Sequence, residues 1–306
     1  MNILEDSIDE YGKKTVLLMQ VGAFYEIYAY NDKQYASYTI IHEIANITGL
    51  LVVQKSICVG ETSILAAGFR DYSLDKWVNK MQHHGYTCVV YDQDENTKNT
   101  SRSLSGIYTP GTFISNEENN SVSTNNMCLW IESMKDKLNV GIANIEVITG
   151  KSIIYEYVIK NTGVPNMYDN IERYISTYSP KEITVITNLS TFDIDSILSF
   201  VRNTSITTNI VDLLDKEHIN TKRARKCEMQ NYQQELFGMH FTILNQDVFF
   251  QQYSYCEIAV QSFCYLLQHL NILNPSLIEI SSPPVIENLT NHLLLANHSS
   301  KQLNII

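Results

Sequence analysis

No apolar stretch in this 306-residue chain reaches the roughly 18 residues that a membrane-spanning helix needs. The first ten residues carry four acidic side chains and no basic one, which argues against secretory and mitochondrial targeting segments and for an intracellular protein. Six cysteines, at positions 58, 88, 128, 227, 256 and 264, form no CxxC pair. They read as reduced thiols packed as small hydrophobes, not as a disulfide framework or metal site. Basic charge is also short: 22 Lys and Arg face 33 Asp and Glu, for a formal net charge of −11. Residues 1–115 hold nine basic against thirteen acidic side chains. A nucleic-acid binder ordinarily shows the opposite balance, so any DNA affinity must come from a local patch or from segments outside this chain.

What is present is an ordinary globular composition, 44% hydrophobic and 18% charged, on a chain long enough for two or three cored domains. Residues 15–30 read as strand, and Lys33 to Tyr38 alternates like a partner strand. Apolar residues at 74, 77, 78 and 81, stopped by Gly85, predict an amphipathic helix. Tyr86 to Tyr91 is a β-branched and aromatic strand, and Thr109-Pro110-Gly111-Thr112 a turn. The polar run 115–126 is the clearest linker. Beyond it, strands are expected over 127–133, 140–147 and 153–159 around a hairpin turn at Thr149-Gly150-Lys151. Helices and strands then alternate from 166 to 211. From about 220 the periodicity is helical, over 232–241 and 254–270.

The most informative segment is Gly22-Ala23-Phe24-Tyr25-Glu26, which closes the apolar run from Thr15 to Val21. Gly22 permits a sharp backbone path. In an extended segment Phe24 and Glu26 project from one face, so a flat apolar wedge stands beside a carboxyl group. That pair suits a weakened base step, the ring pushing between bases while the carboxyl group interrogates an exposed edge. Taken alone, an aromatic-x-Glu strand is more often a half-buried packing position.

Four segments in order carry more weight than that pair: Gln20 to Tyr28, Gly68-Phe69 with the helix to Gly85-Tyr86, Val89 to Gln93, and Thr109-Pro110-Gly111-Thr112. Together they resemble the mismatch-recognition domain of the MutS family of DNA mismatch repair proteins. Val140 to Gly150 and Ser179 to Ile183 are similar to the family's connector domain, and Leu295 to Ile305 looks like the start of its core, or lever, domain. The resemblance implies an α/β multidomain chain: a mixed α/β recognition domain (1–115), a linker (116–126), an RNase H-like α/β connector (127–220), and the opening of an α-helical core domain (221–306). It implies that Phe24 is the wedge stacking on a mispaired base and that Glu26 hydrogen-bonds that base. Gly22, Pro110 and Gly111 would be supporting backbone. The implied partners are double-stranded DNA with mismatches or small loops, a dimer partner and a MutL-like protein. No cofactor is implied for this chain; ATP and Mg²⁺ would belong to a downstream ATPase domain, and no Walker motif is visible here. The sequence departs from the family at Ala23, where Asp is common, and at Phe69-Arg70 with Tyr72, where Val-Pro and a His are usual. Ala296, Ser299 and Asn304 replace Asp, Thr and Glu. These departures suggest a divergent branch of the giant-virus and mitochondrial type.

Other motifs are weaker. Thr149-Gly150-Lys151-Ser152 imitates the end of a phosphate-binding loop, but its first glycine would fall at Ile145. Lys222, Arg223, Arg225 and Lys226 form the most basic stretch, a solvated surface or a DNA or partner contact. His83-His84 lacks the companions of a metal site. Glu146, Asp169 and Asp193 would be the carboxylates of a nuclease, the remotest alternative. A protein-interaction module for a MutL-like partner, without DNA reading of its own, is the nearer one. Apolar positions at Leu289, 293–295 and 303–306 predict an exposed patch.

Overall fold

The structure is a computed structural model and describes residues 2–94, 101–112, 124–163, 165–201, 206–243 and 245–287. The chain divides into two compact units, Met1–Asn120 and Ser121–Ile306. The expected linker falls almost entirely outside the described residues. So do the core-domain segment Leu295 to Ile305 and the apolar positions from 289 onward.

The first unit opens with α1 (Asn2–Tyr11) and a hairpin of β1 (Thr15–Val21) and β2 (Phe24–Tyr30). Helix α2 (Ala36–Thr48), β3 (Val53–Val59), β4 (Thr62–Arg70), α3 (Leu74–Gln82), β5 (Thr87–Gln93) and β6 (Arg102–Tyr108) follow. The sheet order is β3-β4-β2-β1-β5-β6. β1 and β5 are parallel, and the other pairs antiparallel. One face is apolar because alternate residues point the same way: Tyr25, Ile27 and Ala29 of β2 and Leu65, Ala67 and Phe69 of β4 join one buried cluster. Ile40, Ile41 and Ile44 of α2 and Val78 and Met81 of α3 close it, at the spacing of one helical face.

The expected partner strand over Lys33 to Tyr38 is not formed; Asp32 instead caps a turn through its carboxylate to the Gln34 amide (3.0 Å), and α2 begins at Ala36. The alternation there belongs to the polar entry of a helix whose buried residues lie further on. Strands β3 and β6 carried no clear period because both are sheet edges with exposed faces.

The second unit contains β7 (Asn125–Met134), β8 (Lys137–Glu146), β9 (Ser152–Lys160), α4 (Asp169–Tyr178), β10 (Glu182–Thr187), α5 (Thr191–Val201) and β11 (Thr207–Asp212). It continues through α6 (Ile219–Cys227), α7 (Gln230–His240), α8 (Gln246–Gln251), α9 (Glu257–Leu273) and the short β12 (Val285–Ile286). The sheet order is β11-β10-β7-β8-β9-β12. β7, β8 and β9 are antiparallel, and β10 runs parallel to both β7 and β11. On one face Leu129, Ile131, Val140 and Ile142 pack with Ile171, Tyr174 and Ile175 of α4 and Ile197 of α5. The other face meets α9 at Gly141, where an added Cβ would lie 2.5 Å from the Ile258 backbone. The absent side chain lets helix and sheet backbones touch. The helical stretch from 221 therefore shares a core with this sheet, and no packing boundary falls at 220. Periodicity could not show this, since it reports which face of a helix is apolar and not what covers it.

Candidate nucleic-acid interface

β1 and β2 are joined by Gly22-Ala23, with Gly22 at φ +58°. That left-handed conformation lets the turn close in two residues and suits glycine. The Gly22 amide donates to Gln93 Oε1 (3.1 Å), and the Gln93 amide donates to Gln20 Oε1 (2.8 Å). The Ala23 carbonyl accepts from the Asp71 amide (3.1 Å). Strand β5 and the loop after β4 thus hold the hairpin end from two sides.

Phe24 is the first residue of β2 and pairs with Val21 and Arg70. It remains 41% exposed, which is unusual for a Phe and decides that it is not a packing residue of the core. The Arg70 guanidinium lies 4.7 Å from its ring centroid, within cation–π range. Two residues on, Glu26 shares its face, as the alternation requires; Tyr25 between them is buried and donates its hydroxyl to Asp92 (2.6 Å). Burial and that bond hold the Tyr25 phenol in its neutral form, well above the usual range.

Glu26 is well supplied with donors. Lys55 Nζ approaches Oε1 at 3.1 Å, and the Tyr28 hydroxyl donates to Oε2. Burial, then the bond to Glu26, pushes the Tyr28 phenol up to about 12. Tyr28 and Lys55 are also walls of an apolar cavity of about 320 Å³ completed by Leu4, Leu17, Met19, Ile57, Val59 and Ile64. The outer face near the tip therefore offers an exposed ring, one carboxylate and two cations, Arg70 and Lys55. Sequence reasoning named the ring and the carboxylate and missed both cations. Arg70 was noted only as a departure, and Lys55 lies in an edge strand without a period.

Of the other expected residues, Gly22 is at the site but Pro110 and Gly111 are not. Their turn follows β6, whose Tyr108 pairs with Cys88 near the start of β5, whereas Phe24 sits beside Val21 at the end of β1, parallel to β5. The turn is at the opposite end of the sheet, where the Thr109 carbonyl accepts from Gln82 Nε2 (2.7 Å). The basic cluster lies on α6 of the second unit. Lys222 pairs with Glu217 (3.0 Å), Arg225 with Glu228 (2.6 Å), and Arg223 donates to Asn220 Oδ1 (3.1 Å). Most of that charge is locally answered. Thr149-Gly150-Lys151 is a turn between two strands and not a strand-to-helix loop, which removes the phosphate-loop geometry. His84 Nδ1 contacts the Lys80 carbonyl (3.0 Å) at the end of α3. Among the described residues no group of three or more His, Cys, Asp or Glu gathers, so Glu146, Asp169 and Asp193 form no carboxylate set.

Residues 6–117 match the family described as MutS domain I. The chain is 25% identical to a putative DNA mismatch repair protein mutS homolog of Acanthamoeba polyphaga mimivirus, over 97% of this chain and 28% of that protein. It is 28% identical to the DNA mismatch repair protein MutS of Finegoldia magna, over 67% of this chain and 22% of that protein. The chain thus spans roughly a quarter of the length of the curated relatives it matches. Among solved structures, Fowlpox virus resolvase in complex with Holliday junction DNA aligns with a TM-score of 0.32 and 12% identity, over 48% of this chain and 99% of that one.

Proposed function

Since residues 6–117 are a MutS domain I and MutS homologues match along the chain, the protein belongs to the MutS family of DNA mismatch repair proteins, and we propose that its first unit reads mispaired bases with Phe24 and Glu26. The observation that carries this is the exposure of Phe24 at a hairpin end, on one face with Glu26. A ring held outside a core is available to enter a base step. Unstacking costs a few kcal/mol and less at a mismatch, so the wedge selects deformable sites without reading sequence. Glu26 then meets the edge of the displaced base.

The second unit is assigned the connector role. Counting from β7, its strands stand in the order 3-2-1-4-5, the first three antiparallel, with helices on both faces; this supports an RNase H-like layer fold. Because α6, α7 and α9 share its core, the proposed connector extends to β12 and the core domain opens after it. Nucleotide hydrolysis, clamping, dimerisation and any MutL-like contact are assigned to the longer assembly in which such a chain would work.

The test is competition binding of the chain to a duplex with one G·T mismatch and to its matched counterpart, over a range of salt. Stacking of one base on an aromatic ring is worth about 1–3 kcal/mol, so Phe24→Ala should lower the mismatch preference by roughly 5- to 150-fold. Equal affinity for both duplexes, unchanged by Phe24→Ala, would reject the proposal.

A further inference from the structure

Glu26 and Lys55 are ion-paired although their strands are not neighbours. β4 stands between them in the order β3-β4-β2, so at about 4.8 Å per strand their backbones are roughly 10 Å apart. The residue of β4 directly opposite Glu26 is Gly68. A Cβ at that position would lie 2.8 Å from the Tyr25 carbonyl oxygen and 3.2 Å from Glu26 Cγ. The missing side chain leaves a gap in the outer face, and the pair spans it. Lys55 falls in the stretch between Gln54 and Cys58 where the register of β3 on β4 shifts. A register irregularity re-aims side chains on the strand that carries it. Both Glu26 oxygens are thereby engaged, one by the Lys55 ammonium and the other by the Tyr28 hydroxyl.

We propose that Lys55 is a positioning residue for Glu26. It fixes the carboxylate on the face that carries Phe24 and offsets its negative charge as the tip enters the field of the phosphates. The inference rests on the mismatch-reading role proposed above and adds a residue to it. A bare carboxylate approaching DNA is opposed by one negative charge per ~1.7 Å of duplex. Paired with Lys55, the reader approaches as a neutral unit. It meets the base in a fixed geometry, and Gly68 is the opening that permits the pairing. Phosphate contact alone would make Lys55 a contributor to affinity for any duplex. Positioning makes it a contributor to the preference between duplexes.

The experiment compares the wild-type chain with Lys55→Met, Lys55→Arg, Glu26→Ala and the Lys55→Met/Glu26→Ala double variant. Each is titrated with matched and G·T-mismatched duplexes at several salt concentrations, after thermal melting confirms folding. Expected is a loss of mismatch preference in Lys55→Met equal to that of Glu26→Ala, roughly tenfold for one hydrogen bond to a charged group. No further loss is expected in the double variant, and Lys55→Arg should retain the preference. Gly68→Ala should reproduce the loss by closing the gap. Equal weakening of both duplexes by Lys55→Met, with a salt slope smaller by about 1, would reduce Lys55 to a phosphate contact and overturn the inference. Independent, multiplying losses in the double variant would also overturn it. A preference that falls with Phe24→Ala but survives Lys55→Met rejects this inference alone. A wild-type chain without preference rejects it together with the mismatch-reading role.

Discussion

Replacing Gly141 by Ala tests how sheet and helix meet in the second unit. A Cβ there would lie 2.5 Å from the Ile258 carbonyl carbon and oxygen and 2.6 Å from the Ala259 amide nitrogen. Non-bonded carbon contacts settle near 3.5–4.0 Å, so α9 must withdraw by about 1 Å, a gap that forfeits about a quarter to a half of the dispersion well at each contact. Ala259, Phe263, Cys264 and Leu267 of α9 are fully buried and would share that loss. The Ser262 hydroxyl, which donates to the Gly141 carbonyl at 3.1 Å, would be pulled away from it. Overpacking typically costs about 1–3 kcal/mol and the loosened buried hydrogen bond about 1 more. The sum is about 2–4 kcal/mol. At about 2–4 °C per kcal/mol for a unit of this size, the melting transition should fall by about 5–15 °C. Differential scanning calorimetry reads it directly, and Ser262→Ala isolates the hydroxyl contribution. If Gly141→Ala melts with wild type, the close approach of α9 to β8 is wrong and so is the shared core.

Other outcomes follow from the same structure. Cys58 is exposed and the remaining five cysteines are buried, so a thiol reagent should label one site per native chain and six after denaturation; fast labelling of a second native site would contradict the packing. Gly22→Ala forces a side chain into φ +58° with open space around it, so the strain is conformational; urea denaturation should show a loss of about 1–2 kcal/mol, and an unchanged midpoint would refute the turn. Tyr28, Tyr232 and Tyr253 are held neutral by burial, each pushed up to about 12. Their folded values lie above the unfolded value of about 10, so the stability they contribute is complete below pH ~10 and is lost as pH rises towards 12. Phenolate absorbance should therefore rise together with unfolding over that window; full ionisation of the tyrosines in a still-folded chain would refute it.

Legibility followed the range of the interactions. The β1–β2 run, α3 and the three strands β7 to β9 were readable because their apolar residues recur at a fixed period within a few residues. The Phe24 and Glu26 pair was readable for the same reason, since strand alternation alone places both on one face. The edge strands β3 and β6 were not, because neither buries a face and so neither needs a period. The stretch 33–38 misled because brief alternation in a polar turn looks like a strand until the isoleucines of α2 are seen to share one helical face. Pro110 and Gly111 were grouped with the tip by sequence order, and the sheet puts them at its other end.

The residues themselves determined that Gly22 would turn the chain, that an aromatic ring and a carboxylate would follow on one face, and that the chain would be acidic. Local stereochemistry and a two-residue repeat suffice for that. Tertiary structure decided what stands beside those groups. Lys55, 29 residues from Glu26, reaches it only because Gly68 leaves a gap on the intervening strand. Arg70 covers Phe24 only because β4 pairs with β2 in one register. Helix α9 joins the second sheet only because Gly141 lets two backbones touch. In each case a contact between distant segments depends on a side chain that is absent, and no local pattern records it.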